Sequence, residues 1–144
     1  MVKGEDKMSK KISLIHSSNL ASVSYAYGGR VPSGMDLLYM AGACPINKDR
    51  KVLYVDDYAL QAKLCVDNLK QALKDCGASL EDVVYTRVLV ASQNRSDLVT
   101  AWETIRNEFG THDVPSTLSG VTVLGYTNQL VEIEAIAALE SYTK

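Results

Sequence analysis

The stretch that most constrains the fold is residues 115–139, PSTLSGVTVLGYTNQLVEIEAIAAL. It holds two β-type runs, residues 117–124 and 129–138, separated by the turn-forming Gly125-Tyr126-Thr127-Asn128. Successive strand side chains point to opposite faces, so Val131, Ile133, Ala135 and Ala137 share one face while Glu132, Glu134 and Ile136 share the other. The first set asks to be covered by helices. The second is only half polar, because Ile136 and Ala138 continue it, and such a face suits an oligomer contact with a polar pocket cut into it. The alternative is a solvated outer face, common in antiparallel sheets.

With 144 residues, of which 47% are hydrophobic, the chain is long enough to bury a sizeable core and fits one domain over residues 12–144. Residues 1–11, MVKGEDKMSKK, are polar and without period, and read as a flexible tail. The formal charge of -2 offers no broad attraction to nucleic acid or to an anionic membrane. No run reaches the length of a membrane span and the N-terminus lacks a signal peptide's apolar stretch, so the expected location is cytoplasmic. Cys44, Cys65 and Cys76 lack CxxC spacing and read as free thiols. His16 and His112 have no cysteine at ligand spacing, so no metal is expected.

Along the chain, short strands are expected at residues 12–16 and 22–30. A third, residues 37–43, reads as buried on both faces, with small residues at its end that permit close approach. Asp56-Asp57 heads a helix running to about Cys76, with Leu60, Leu64, Leu69, Ala72 and Leu73 as its inward stripe and Gly77 as its stop. Ser79 and Asp82 have the spacing of a capping box, and residues 83–91 form the most β-branched run up to that point. A second helix over residues 96–109 turns Leu98, Ala101, Trp102, Ile105 and Phe109 inward and ends at Gly110. Three strands, helix, strand, helix and two strands make an α+β fold, a sheet with both helices on one face.

LLYMAGACP at residues 37–45, DNLKQALKDCGASLEDVV at 67–84, PST at 115–117 and LVEIEAIA at 130–137 together resemble the Rid family, also called YjgF or L-PSP proteins. The resemblance spans nearly the whole chain, residues 12–139. It implies a six-stranded mixed sheet of chorismate-mutase-like type, a homotrimer with ligand clefts between subunits, and hydrolysis of imines or enamines without metal or organic cofactor. Glu132 matches the family's pocket glutamate and is the candidate catalytic group, because a carboxylate can position and deprotonate water for attack on a C=N carbon.

The resemblance also shows departures. The arginine that grips a substrate carboxylate in active members is Pro115 here, and no Lys or Arg lies between Arg106 and Lys144. The family's Ser-Gly pair is Ala41-Gly42, and an Asn of the second helix is Trp102. Tyr25 or Tyr27 matches an N-terminal pocket tyrosine, and a longer turn brings Tyr126 toward the cleft. Ser116 offers a hydroxyl, Cys44 lies just beyond Ala41-Gly42, and Arg30 and Arg87 are the cations available to replace the missing one. Three functions fit these residues. They are a divergent hydrolase of a small imine, enamine or related compound other than a simple 2-imino acid, a non-catalytic trimeric module binding a small molecule or a protein, and an RNA-cleaving translation inhibitor. The acidic balance and the lack of a basic, aromatic nucleic-acid motif weigh against the last.

Overall fold

The computed structural model describes residues 10–141, so most of the tail expected over residues 1–11 lies outside the described residues. Lys10, at its end, donates through Nζ to the carbonyl of Ser33 at 2.7 Å. The strands are β1 (Ser13–Ile15), β2 (Gly28–Arg30), β3 (Met35–Tyr39), β4 (Val83–Ala91), β5 (Ser116–Val121) and β6 (Val131–Glu140). The helices are α1 (Tyr58–Asp75) and α2 (Arg95–Phe109), with a 3-10 turn at Leu80–Asp82. The element order is the one the periodicity predicts.

The strands do not form the single six-stranded sheet expected. β1 and β2 pair antiparallel as a separate two-stranded sheet, and the main sheet has four strands in the order β3-β6-β4-β5, mixed because β4 and β5 run parallel. β4 is flanked by β6 and β5, which take up most of its ladder groups. β2 instead abuts the start of β4 without ladder bonds. A Cβ on Gly29 would lie 2.5 Å from Val84 Cγ2 and 2.8 Å from the Val84 carbonyl oxygen, so only glycine permits this approach. The strand expected over residues 22–30 is reduced to Gly28–Arg30. Its earlier part bonds piecemeal, Ala26 N–H to the Asp113 carbonyl at 2.8 Å and the Tyr27 hydroxyl to the Ala21 carbonyl at 2.7 Å.

β3 is not buried on both faces. Among the described residues it is an edge strand paired only with β6, and Leu37 and Tyr39 are 47% and 75% exposed. Beyond Tyr39 the chain stays beside β6 but changes step. Met40 N–H donates to the Ala135 carbonyl, and Ala43 exchanges both backbone bonds with Ile133. Three residues on one side thus span two on the other, which makes residues 41–42 a bulge.

α1 begins where Asp57 accepts the Leu60 N–H at 2.9 Å, and the chain leaves it through Gly77 at φ +80°. Its inward stripe is Ala62, Cys65, Val66, Leu69 and Leu73, rotated from the one expected. Leu60 is 44% exposed and Ala72 also faces out, because Gln61 takes the inward place with no exposed surface. α2 buries Ala101, Ile105 and Phe109. Both helices pack on one face of the main sheet, against Val88, Val90, Val131, Ile133, Ala135 and Ala137. Burying each branched aliphatic side chain there is worth about 1.5–3 kcal/mol.

Among the described residues, the other sheet face carries no helix. Leu37, Tyr39, Tyr85, Arg87, Glu132, Glu134 and Ile136 share it by register and strand parity. Arg87 pairs with Glu134 at 3.1 Å, and the Tyr85 hydroxyl donates to Thr117 Oγ1 at 3.0 Å. Among the described residues, no helix is long and apolar enough to cross a membrane.

Candidate functional site

The bulge at residues 41–42 lies beside Glu132, and its glycine leaves the space into which the Glu132 carboxyl group folds. A Cβ there would come within 2.7 Å of both the Glu132 Cδ and Oε2. The carboxyl group therefore folds down over the Gly42 backbone. Cys44, two residues on, places its thiol 3.0 Å from Glu132 Oε1 and 3.5 Å from the Gly42 carbonyl. Gln129, buried just before β6, donates from Nε2 to the same Oε1 at 3.2 Å and to the Val131 carbonyl at 3.1 Å.

Two polar side chains of α1 fix the loops that carry these groups. Asn68 Nδ2 donates to the carbonyls of Cys44 and Ile46, at 2.8 and 3.0 Å. Gln61 Nε2 donates to the carbonyls of Tyr54 and Asn128, while its Oε1 accepts the Leu130 N–H at 2.8 Å. The turn before β6 closes on itself. Tyr126 N–H donates to Gln129 Oε1 at 3.1 Å, and Gln129 N–H returns to the Tyr126 carbonyl at 3.0 Å. Glu132, Gly42, Cys44, Gln129 and the Tyr126 turn thus form one hydrogen-bonded unit. Ala41 stands exposed beside it.

Burial, then the hydrogen bond to Glu132 and its negative charge, push the Cys44 thiol up to about 12, against a smaller lowering contribution from Gln129. A carboxylate at this distance resists formation of a second negative charge, so Cys44 is held as a neutral thiol and is no nucleophile at neutral pH. Burial likewise pushes the Cys65 thiol up.

The remaining expected residues gather elsewhere. Tyr25 packs edge-on against Trp102, with ring centroids 6.0 Å apart, and Tyr27 stands 5.9 Å from Tyr25. Thr86 Oγ1 donates to Ser116 Oγ at 2.8 Å, and these two hydroxyls line a small crevice with Trp102 and Arg106. Thr86 is paired with Ala135, on the helix-covered side of the sheet, whereas Glu132 is on the other side. Within one chain the two groups of candidates therefore do not meet. Pro115 is buried, its carbonyl accepting the Thr86 N–H at 3.0 Å. Arg30 is exposed on β2.

Gln129, Gln61 and Asn68 were not among the residues singled out from sequence. The available signal was a polar side chain inside an otherwise apolar pattern, as with Gln61 on the inward stripe of α1. Among the described residues, no group of three or more His, Cys, Asp or Glu side chains is placed to hold a metal ion.

The sequence model of the family described as Endoribonuclease L-PSP matches residues 20–139. A RutC family protein of Pyrococcus abyssi is 30% identical over 105 residues, which are 73% of this chain and 80% of the relative. The 3-aminoacrylate deaminase RutC of Acinetobacter baylyi is 27% identical over 55 residues, 38% of this chain and 44% of the relative. In fold, the chain is similar to the crystal structure of YyfB, a Rid-family protein of unknown function from Yersinia pestis. The TM-score is 0.79 at 24% identity, with 90% of this chain and 99% of that one covered. The family match covers the Glu132 unit and both helices, and the chain belongs to the Rid/YjgF/L-PSP family.

Proposed function

We propose that the chain is a hydrolase of a small imine or enamine, working as a homotrimer in clefts between subunits. The observation that carries this reading is the Glu132 carboxylate, held on the helix-free face of the sheet by Cys44 and Gln129. In the reaction, Glu132 takes a proton from water as the oxygen adds to the C=N carbon. Glu132 returns that proton to the nitrogen of the resulting carbinolamine, and the C–N bond breaks as the hydroxyl proton passes back to the carboxylate, releasing ammonia and the carbonyl product. An enamine enters the same sequence after protonation on carbon. The partial match to a deaminase that acts on 3-aminoacrylate supports the reaction class.

The half-apolar face that bears Glu132 supports the assembly. Leu37, Tyr39 and Ile136 form an apolar patch beside the Arg87–Glu134 pair, and covering it with further copies of the chain in a closed ring removes that surface from water. Light scattering at micromolar concentration is expected to give the mass of three chains. A stable monomer would overturn the trimer and the intersubunit cleft together.

The substrate is expected to lack a free carboxylate next to the reacting carbon. Burying an unpaired carboxylate is heavily penalised, and Pro115 supplies neither charge nor N–H. Arg87, the cation sharing a face with Glu132, is already paired with Glu134 at 3.1 Å. The test generates imines with amino-acid oxidase and follows their loss with and without the protein, beside uncharged imines and enamines. Ammonia release from uncharged members, without acceleration for imino acids derived from alanine, serine or leucine, is the expected result. Acceleration of those imino acids comparable to that of an arginine-bearing family member overturns the exclusion. No acceleration of any compound overturns the hydrolase reading.

A further inference from the structure

Resting on the hydrolase reading, we propose that Cys44 is a positioning residue for Glu132, fixing Oε1 so that Oε2 is the oxygen that takes the proton from water. The two carboxylate oxygens are not equivalent. Oε1 receives both donors, the Cys44 thiol at 3.0 Å and the Gln129 amide at 3.2 Å. Oε2 lies against the Gly42 backbone, with no donor among the described residues, and the space a side chain would occupy at Gly42 is what lets it lie there. A carboxylate pinned through one oxygen cannot rotate to exchange the two, so its working lone pairs point in a fixed direction.

The thiol suits this task for two reasons. Partial burial, then the hydrogen bond to Glu132 and its charge, keep it protonated, so it is a permanent donor at neutral pH. It also has a second acceptor in the Gly42 carbonyl at 3.5 Å. When Oε2 gains a proton, Oε1 becomes a poorer acceptor, and a small rotation of the thiol carries its hydrogen bond to Gly42 without leaving either group stranded. Asn68, by holding the Cys44 and Ile46 carbonyls, keeps the thiol at this distance.

The test compares Cys44→Ala and Cys44→Ser for turnover and records the infrared S–H stretching band of the unmodified protein and of Glu132→Gln. A lost positioning contact is expected to lower kcat about 10-fold to 100-fold in Cys44→Ala, with KM within about twofold of the original. Cys44→Ser retains a donor and is expected to recover most of the loss, which a simple cavity effect would not predict. The S–H band, assigned to Cys44 by its absence from Cys44→Ser, is expected to shift in Glu132→Gln. An unchanged kcat in Cys44→Ala, equal impairment of the two variants, or an unshifted band would each overturn the proposal. Because the band is read without substrate, its failure is distinct from failure of the hydrolase reading, which shows as absent turnover in the unmodified protein.

Discussion

Glu132→Gln is expected to lower imine hydrolysis by roughly 100-fold or more, the effect of losing a general base. Glutamine has nearly the same shape, and its carbonyl oxygen in the place of Oε1 still accepts from Cys44 and Gln129, so the local hydrogen bonds have a substitute. The amide cannot take a proton from water, and catalysis is lost for that reason alone. Stability is expected to change little, within about 0.5 kcal/mol, because the side chain is only partly buried and does not belong to the apolar core. Steady-state kinetics, with light scattering and thermal unfolding as controls, check both halves of the claim. Undiminished activity would remove Glu132 from the mechanism. Loss of assembly would instead give it a structural role.

The elements with strong local chemistry were legible in the sequence. α1 starts at its Asp57 cap and is followed by Gly77, β4 spans Val83–Ala91 as its β-branched run indicates, and α2 ends at Phe109 before Gly110. The alternation in residues 131–137 set the buried face of β6 correctly, since tertiary packing and local pattern agree there. What failed was pairing. Local sequence does not say which strand edges are already occupied, so nothing in it keeps β1 and β2 out of the main sheet, although β5 and β6 take both sides of β4. The rotation of α1 is not legible because Gln61 is polar by type, yet its amide meets three backbone groups and is satisfied where it is buried.

At the candidate site, Glu132, Gly42 and Cys44 are legible in the sequence only as separate candidates, and nothing local says that they meet. The one-residue bulge after Met40 is a pairing event and leaves no composition signal beyond small residues at 41–43. Gln129 carries in the sequence only the signal of a strand start, whereas its amide links the Tyr126 turn to Glu132. Tyr25, Trp102 and Ser116 gather on the α2 side of the sheet because Ser116 is paired with Thr86, whose side chain faces inward, a parity that only the register reveals. If these residues share a cleft with Glu132, another subunit must bring them there, so the trimer test decides the site as well as the assembly.

The three thiols are expected to react with iodoacetamide in an order set by exposure and charge, with Cys76 first. Alkylation requires the thiolate. At pH 8, a thiol titrating at about 12 is ionised to about one part in 10⁴, against roughly a quarter for a solvated thiol of ordinary pKa, so Cys44 is expected to react about 1,000-fold more slowly than a free cysteine. Cys65 has no exposed surface and is expected to react only on unfolding, while Cys76 is exposed just past α1. The same upward shift fixes the sign of a pH effect. The folded state holds the Cys44 proton more tightly than the unfolded chain, so its contribution to stability is complete below the ordinary thiol range and is lost as the pH rises from there through about 12. Peptide mapping after timed alkylation separates the three sites. Glu132→Gln removes the carboxylate charge and is expected to speed labelling of Cys44 without equalling Cys76, since burial is the larger cause of the shift. Labelling of Cys44 as fast as Cys76 in the unmodified protein would mean that the thiol is ionised beside Glu132, and the neutral-donor geometry of the site would be wrong.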